Sequence, residues 1–390
     1  MRVLHVSACF APAFRYGGPP RSILGLCQAL VRTGVDVEVF TTTADGDHPL
    51  PPAPHGVEYE GVHVRYFPLS WPQRFWRSAA LADAIGREAA GADLVHVHGL
   101  WNFTVWAGAR AARAAGVPYV ISPRGMLLSD ARARHGALKT IAYWGAQRRD
   151  LRGAAFLHAT SETEARALAA VGPRVVTIAN GVEWKTATPE QIARLRQRLD
   201  LPDHADVITF IGRLHPIKRL DLLADAFTRL RRDGREAYLV IAGPDEGGHR
   251  REIEPRFRDV ADRVRWTGAL EDDDKWALLA TSRALVQCSD SESFGLSVAE
   301  ALSVGVPVVV SDRGAWNEVS SVGCGEVVAH EAAAIAGALR RLIDRPADAR
   351  AMGERGRAWI ARAFGWDAIG RDMMHEYESI VGRRSVVVAG

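Results

Sequence analysis

Two glutamates lie eight positions apart in a segment whose chemistry suits both phosphate and sugar hydroxyls. The segment reads Ser-Glu-Ser-Phe-Gly-Leu-Ser-Val-Ala-Glu; Glu292 precedes the Phe-Gly pair, and Glu300 lies one to two turns into the helix that follows. The first N–H groups of a helix have no partner within it, and the helix dipole is positive there, so a helix start favours an anion. A carboxylate beside that anion can accept hydrogen bonds from hydroxyl groups. The segment therefore predicts binding of a nucleotide sugar.

Two other interpretations of these glutamates are open. They could be ordinary surface acids, or they could be the paired carboxylates of a retaining glycoside hydrolase. The neighbours Phe294, Gly295 and Leu296 are apolar or small, which favours acids that line a cleft. A helix start between the two acids would separate their carboxylates, which disfavours the hydrolase.

A basic motif follows the first strand predicted in the second half of the chain. It reads Gly-Arg-Leu-His-Pro-Ile-Lys-Arg from Gly212 to Arg219. Arg213 offers a planar fork for phosphate oxygens, and Lys218 offers a compact charge near the next helix start. A solvated basic loop is the alternative. The place of the basic motif, after a strand and upstream of the glutamates, favours diphosphate binding.

Polar and small residues also follow strands predicted in the first half. Gly17 and Gly18 precede a helix and permit close approach of a ligand, although a tight turn alone would also use them. His96 and His98 close another strand and face one side of it. A metal site with Asp93 is conceivable, but the sequence holds no further His/Cys cluster to support it. We expect a ligand-facing His98, because doubly wound folds bind ligands at the carboxyl ends of strands.

Short apolar runs alternate with longer amphipathic stretches along the whole chain. This alternation predicts an α/β protein with parallel sheets covered by helices on both faces. Two such runs predict two doubly wound, Rossmann-like domains, at residues 1–182 and 183–365, with a long C-terminal helix at 366–390. Predicted strands lie at 2–7, 36–41, 62–66, 94–98, 119–122, 156–159, 175–178, 207–211, 237–242, 264–267, 284–287, 306–311 and 326–328.

Composition limits the surroundings and partners of the chain. The 390 residues carry a net charge of +3, with +6 in residues 1–182 and −3 in the remainder. This asymmetry suggests that the first half faces phosphates or a membrane surface. Four cysteines without metal or disulfide spacing indicate a reducing, cytoplasmic location, and neither a signal peptide nor a membrane span is predicted. Aromatic and basic residues mix at 71–77 and 132–152, which favours a peripheral membrane contact or an ordinary helix surface.

With these motifs in order, the chain resembles the family 4 glycosyltransferases of GT-B fold. The second half carries "GRLHPIKRLDLL", "IAGPDEGG", "WTGAL" and "SDSESFGLSVAEALSVGVPVVVSDRGAWNEV", and Glu292 and Glu300 match the E-x7-E signature. The first half resembles bacterial polysaccharide-assembly members through "FAPAFRYGGPPRSI", "DLVHVHGLWN", "YVISPRGML", "LHATSETEA" and "TIANGVE". This resemblance implies two domains facing across a cleft, with the C-terminal helix packed back on the first, acceptor-side domain and the second binding the donor.

The resemblance also implies roles for individual residues. The catalytic group would be Glu292, His98, Arg213 and Lys218. Donor binding would use Gly17, Gly18, Arg213, Lys218, Glu292, Phe294, Gly295, Leu296 and Glu300. Within these sets, Glu292 would contact the sugar and Glu300 the ribose. Residues on the acceptor side would be Arg124, Trp101 and Asn102. No metal, no other cofactor and no nucleic acid is implied.

The implied activity is retaining transfer of a hexose from a nucleoside-diphosphate sugar. The acceptor would be a saccharide or a lipid-linked saccharide in cell-surface polysaccharide synthesis, including lipopolysaccharide and exopolysaccharide. Front-face transfer would let the leaving phosphate take the acceptor proton. One departure concerns Gly314-Ala315-Trp316-Asn317-Glu318, where many members have Gly-Gly-x-x-Glu. The alternatives are a nucleotide-sugar epimerase of the same fold and a non-catalytic nucleotide-sugar-binding protein.

Overall fold

The chain forms two compact units in a computed structural model that describes residues 1–128, 147–172, 174–245 and 247–388. One unit contains Met1–Gly181 and Trp366–Gly390, and the other contains Val182–Gly365. Each unit is built on its own sheet. The aromatic and basic stretch expected at 132–152 lies largely outside the described residues.

Among its described residues, the first unit has an eight-stranded sheet in the order β3-β4-β2-β1-β5-β6-β7-β8. All neighbours pair in parallel except β3, which is antiparallel to β4. The prediction of a parallel sheet is confirmed, and the antiparallel edge strand β3 is an addition to it. β3 was not predicted because it contains a proline and a glycine and is largely exposed, so it has no buried apolar run. The strands are β1 Arg2–Ser7, β2 Asp36–Thr42, β3 Ala53–Tyr59, β4 Val62–Phe67, β5 Leu94–His98, β6 Tyr119–Ser122, β7 Phe156–Ala159 and β8 Val175–Thr177.

Helices cover both faces of this sheet and bury one apolar cluster on each face. The C-terminal helix Trp366–Val388 packs on the first helix, where the Trp366 ring lies against Gly25. Its Tyr377 is fully buried, which brings a polar hydroxyl into the unit. The other α-helices in the described part of this unit are α1 Gly18–Arg32, α2 Ala79–Glu88, α3 Phe103–Ala114, α4 Arg148–Gly153 and α5 Glu162–Ala169.

The second unit has a six-stranded parallel sheet in the order β11-β10-β9-β12-β13-β14. Its strands are β9 Asp206–Ile211, β10 Ala237–Ala242, β11 Val264–Gly268, β12 Ala284–Gln287, β13 Val308–Ser311 and β14 Gly325–Val328. Its helices are α6 Pro189–Arg198, α7 Leu220–Arg232, α8 His249–Ile253, α9 Asp272–Thr281, α10 Leu296–Ser303, α11 Glu318–Val322, α12 Ala332–Asp344 and α13 Pro346–Ala363.

Each sheet reverses its strand order beside its first strand. In the first unit this point lies between β1 and β5, and in the second it lies between β9 and β12. Open α/β sheets bind ligands outside the carboxyl ends of the strands at such a reversal. We therefore expect ligand sites in the loops that follow these four strands.

Across the described parts of the chain, no helix combines the length and the apolar character needed to cross a bilayer.

Candidate functional site

Two loops of the second unit meet at the strand-order reversal between β9 and β12. The loop after β9 carries Arg213, which is half-buried, and ends in a 3-10 turn at Pro216–Lys218. The backbone N–H of Asp290, in the loop after β12, donates to the Ile217 carbonyl at 2.9 Å. The Asp290 carboxylate accepts from Arg219 at 3.0 Å. These contacts fix the basic motif against the glutamate segment.

Lys218 and Glu292 form an ion pair at this junction. Their side chains are 13% and 15% exposed, so the pair is shielded from most of the solvent that would weaken it. Gln287, the last residue of β12, donates to the same Glu292 oxygen at 2.7 Å. The sequence-predicted diphosphate residue and sugar residue are thus in direct contact.

Glu300 lies apart from this pair in its own ion pair with Lys275 of α9. The Lys275 Nζ is 2.8 Å from a Glu300 oxygen, and both side chains are at most 13% exposed. Each glutamate therefore has a different lysine partner. This disfavours the hydrolase interpretation, because hydrolysis needs two carboxylates that flank one bond.

The start of α10 lies between the two glutamates and is set by Gly295. Gly295 adopts a left-handed conformation, with φ of 80° and ψ of 67°, which glycine reaches without steric cost. No side chain of the described residues caps the first turn of α10. Phe294 is buried, whereas Leu296 is half-buried at the first helical position. The segment offers an anion-favouring helix start beside a paired carboxylate.

The first unit brings a set of buried histidines to the corresponding reversal of its sheet. His5 of β1 is the register partner of His96 on β5, and His98 ends β5. The Nδ1 atom of His5 lies 2.9 Å from Nε2 of His98. All three side chains are at most 2% exposed.

The hydrogen bonds of Arg124 determine which nitrogen of His98 carries the proton. Arg124 donates to His98 Nδ1 at 3.3 Å and to Asn180 at 2.8 Å. A guanidinium only donates, so a neutral His98 carries its proton on Nε2 and donates to His5 Nδ1. Burial lowers the pKa of Arg124 to about 10, and it holds the pKa of His98 well below its ordinary value. His98 is thus a neutral member of a buried network, and its role at the reacting centre stays a prediction.

His96 and His158 extend this network through Ser122 and the C-terminal helix. The Ser122 hydroxyl lies 2.6 Å from both His96 Nε2 and His158 Nδ1, and the Tyr377 hydroxyl lies 2.5 Å from His96 Nδ1. Burial lowers the pKa of His5 and of His158 to about 3 and that of His96 well below its ordinary value. These rings are neutral at physiological pH.

The ligand atoms of His5, His96 and His98 lie within 4.8 Å of one another, so their geometry alone would admit a metal ion. The ring nitrogens are not available to a metal ion, because His98 Nδ1 already accepts a hydrogen bond from Arg124 and His5 Nδ1 already accepts one from His98. The cationic guanidinium also opposes a second cation. The metal alternative that included Asp93 was wrong in its ligand set, because Asp93 precedes β5 at its opposite end and accepts from the Arg2 backbone at 2.8 Å.

The predicted acceptor-side residues have structural partners within the first unit. Asn102 is the N-cap of α3, where its side chain accepts from the Val105 N–H at 3.0 Å. The backbone N–H of Trp101 donates to the Gln147 side-chain oxygen at 3.2 Å. Together with Arg124 they occupy loops after β5 and β6. Their contact with an acceptor stays a prediction.

Gly17 and Gly18 stand where the sequence places them, at the entry to α1. Gly17 has φ of 87° and ψ of −138°, outside the range of most other residues, and Gly18 begins the helix without a side-chain cap among the described residues. The segment follows β1, at the strand-order reversal. Its contact with a donor stays a prediction.

Several buried polar residues around these loops were not identified from the sequence. Glu164 is 1% exposed and accepts from the backbone N–H groups of Gly125 and Thr160, at 2.5 and 2.8 Å, which joins the loops after β6 and β7. A sequence signal existed, because Ser161 and Glu164 have the spacing of a capping box. His5, His158 and Tyr377 carried no such signal, because only the folded sheet and helix bring them together.

Comparisons with known proteins agree with these two units. Residues 191–359 match the model of the family described as "Glycosyl transferases group 1", and residues 17–181 match that of the "Glycosyl transferase 4-like domain". A D-inositol 3-phosphate glycosyltransferase of Salinispora tropica is 32% identical over 94% of this chain and 81% of its own.

Solved structures show the same fold at lower identity. The sucrose-phosphate synthase of Thermosynechococcus elongatus superposes with a TM-score of 0.79 at 20% identity, over 98% of this chain and 100% of that one. Alr3699/HepE of Anabaena, in complex with UDP and glucose, gives 0.76 at 20% identity, over 97% and 100%. The chain belongs to the family 4 glycosyltransferases of GT-B fold.

Proposed function

We propose that this chain is a retaining glycosyltransferase that transfers a hexose from a nucleoside-diphosphate sugar to a saccharide acceptor. The observation that carries the proposal is the shielded Lys218–Glu292 pair beside the start of α10. A cation, a carboxylate and a helix N-terminus together suit a diphosphate joined to a sugar. The names of the relatives support a glycosyl donor, since one is a D-inositol 3-phosphate glycosyltransferase and another structure holds UDP and glucose.

The proposed mechanism rests on charge stabilisation and positioning. As the bond between sugar and phosphate breaks, negative charge grows on the leaving diphosphate, and Lys218, Arg213 and the start of α10 stabilise it. Glu292 holds sugar hydroxyls and so fixes the sugar against the acceptor. In front-face transfer the leaving phosphate takes the acceptor proton, so no protein base is required.

The acceptor is proposed to be lipid-linked, at a membrane surface, and to belong to cell-surface polysaccharide synthesis. Trp71 is 87% exposed and Phe75 is 53% exposed in a segment that also holds Arg77. Exposed aromatic rings beside a cation suit the interface of an anionic bilayer. We expect Trp71→Ser with Phe75→Ser to reduce sedimentation with phosphatidylglycerol vesicles. The control is Trp184→Ser, at a 41% exposed position of the second unit, and equal sedimentation of the two variants would contradict this part.

The donor is tested by a thermal-shift screen across UDP-, GDP-, ADP- and dTDP-sugars. Binding to the native state alone raises the melting temperature, and a ligand at a hundred times its Kd adds about 2.7 kcal/mol of stability. Transfer from the selected donor is then measured with and without a saccharide acceptor. Glu292→Ala is expected to abolish transfer with an unchanged circular dichroism spectrum. Full activity of that variant would refute the site assignment.

The same assay separates the alternatives. An epimerase changes the donor without an acceptor, whereas a transferase needs one. A binding protein gives a thermal shift and no turnover. The family match disfavours the epimerase.

A further inference from the structure

Trp316 lies against the donor segment and contacts it through both its ring and its N–H group. It is 4% exposed, and its indole Nε1 donates to the carbonyl of Phe294. The rings of Trp316 and Phe294 are 5.1 Å apart. The residue stands 24 positions after Glu292, in the loop between β13 and α11. Nothing in the mechanism above uses it.

The hydrogen bond fixes one peptide group of the segment. In a trans peptide the C=O and the following N–H point in opposite directions, so holding the Phe294 carbonyl also sets the direction of the Gly295 N–H. Gly295 has two soft dihedrals and no side chain to restrain it, and its left-handed conformation is one of several that it could adopt. An external anchor is therefore needed for a single orientation.

Trp316 and Glu292 approach Gly295 from the same side. A Cβ atom built on Gly295 would lie 3.2 Å from the Trp316 Nε1 and 3.1 Å from the Glu292 Cγ. The indole therefore lies beside the peptide that connects the carboxylate to the start of α10. Trp316 thus restrains the peptide that carries the Gly295 amide, within the same short segment as the Glu292 carboxylate.

We propose that Trp316 is a positioning residue for the donor. Its N–H holds the Phe294–Gly295 peptide so that the Gly295 amide and the Glu292 carboxylate meet the same nucleotide sugar. The inference rests on the proposed function. It predicts a loss that is specific to the donor, whereas a buried tryptophan that only fills space would affect stability alone.

Trp359 provides a matched control. Its ring packs at 5.7 Å from that of Trp316 in the same aromatic cluster, but the hydrogen bond to the Phe294 carbonyl comes from Trp316. Trp316→Phe keeps an aromatic ring and removes the N–H, and Trp359→Phe removes an indole without touching that bond. Trp316→3-benzothienylalanine, introduced at an amber codon, replaces the N–H by sulfur at nearly constant shape and keeps the test valid if phenylalanine unfolds the unit.

The measurement is steady-state transfer with the donor and the acceptor varied separately. Both Trp316 variants are expected to lower kcat/KM for the donor about tenfold, because each loses one well-placed hydrogen bond. The KM for the acceptor is expected to stay within about twofold of wild type. Trp359→Phe is expected to stay within about threefold of wild type for both substrates. If the wild-type chain is active and the Trp316 variants have the same kcat/KM for the donor as Trp359→Phe, this inference is overturned and the proposed function stands. A wild-type chain without transfer from any donor overturns the proposed function and this inference with it.

Discussion

Acidification from pH 7.5 to pH 5.5 is expected to destabilise the first unit through its buried histidines. His5, His96, His98 and His158 are at most 2% exposed, and burial is the main cause that lowers the pKa of each. The nearby Arg124 guanidinium opposes their protonation further. The unfolded chain has no such restriction, and its histidines titrate near their ordinary pKa of 6.5.

The sign follows from proton binding. Below pH 6.5 the unfolded state binds protons that the folded state excludes, so stability falls with pH down to the folded pKa, which is about 3 for His5 and His158. Between pH 7.5 and 5.5 each histidine costs about 1.4 kcal/mol, and the four together cost about 5.5 kcal/mol. This loss compares with a total stability of about 5–15 kcal/mol for a typical domain.

The assay is urea unfolding of the full chain at several pH values, with His5→Asn as the test variant. An asparagine Oδ1 can accept the hydrogen bond from His98 Nε2 in place of the imidazole Nδ1, and the substitution removes one titrating group. The slope of unfolding free energy against pH is expected to fall by about one proton relative to wild type near pH 5.5. Comparing slopes cancels the contribution of carboxylates such as Asp150, whose pKa burial raises.

His375→Asn is the matched control, because that side chain is exposed on the C-terminal helix of the same unit. It should leave the slope as it is in wild type. A wild-type stability that stays constant from pH 7.5 to 5.5, or a His5→Asn slope equal to that of wild type, would refute the reasoning.

Three further outcomes are expected. Lys275→Ala removes the cation that pairs with Glu300, whose side chain is 13% exposed, and should raise the KM for the donor about tenfold. An unchanged KM would show that Glu300 does not contribute to donor binding. Asn102→Ala removes the N-cap of α3 and should lower the melting temperature by about 2–4 °C, from a cost of about 1 kcal/mol; no shift would show that the cap is dispensable. Dialysis against EDTA should leave transfer unchanged, since Arg124 and the paired nitrogens oppose a metal ion; loss of activity restored by zinc would contradict this.

The sequence predicted the strands of this fold wherever burial produced an apolar run. β1, β5, β6, β7, β10 and β12 begin and end at the predicted residues. β3 was missed, because an exposed antiparallel edge strand needs no apolar run and gains its hydrogen bonds from β4 alone. Helix Pro189–Arg198 was missed for a related reason. Its residues are mostly polar and its buried side chain is Leu195, so the segment lacks the apolar stripe that predicts a helix.

The candidate site was predictable only where its chemistry is local in sequence. Glu292 and Glu300 flank a helix start that Gly295 indicates in the sequence. In the structure the helix begins at Leu296. The partner of each glutamate could not be read in the same way. Lys218 is 74 positions from Glu292, and Lys275 pairs with Glu300 through the packing of α9. Such pairings depend on strand order, which composition and periodicity do not specify.

The Lys218–Glu292 pair links recognition of the two halves of the proposed donor. As long as the pair persists its net charge is zero, so a diphosphate meets the full charge of Lys218 only when Glu292 finds other hydrogen-bond donors. Gln287 supplies one of these at 2.7 Å, and the hydroxyl groups of a bound sugar would supply the rest. A sugar that presents too few hydroxyls leaves the carboxylate competing with the diphosphate for the lysine. Under the proposed function, sugar identity would therefore act on diphosphate binding through this ion pair.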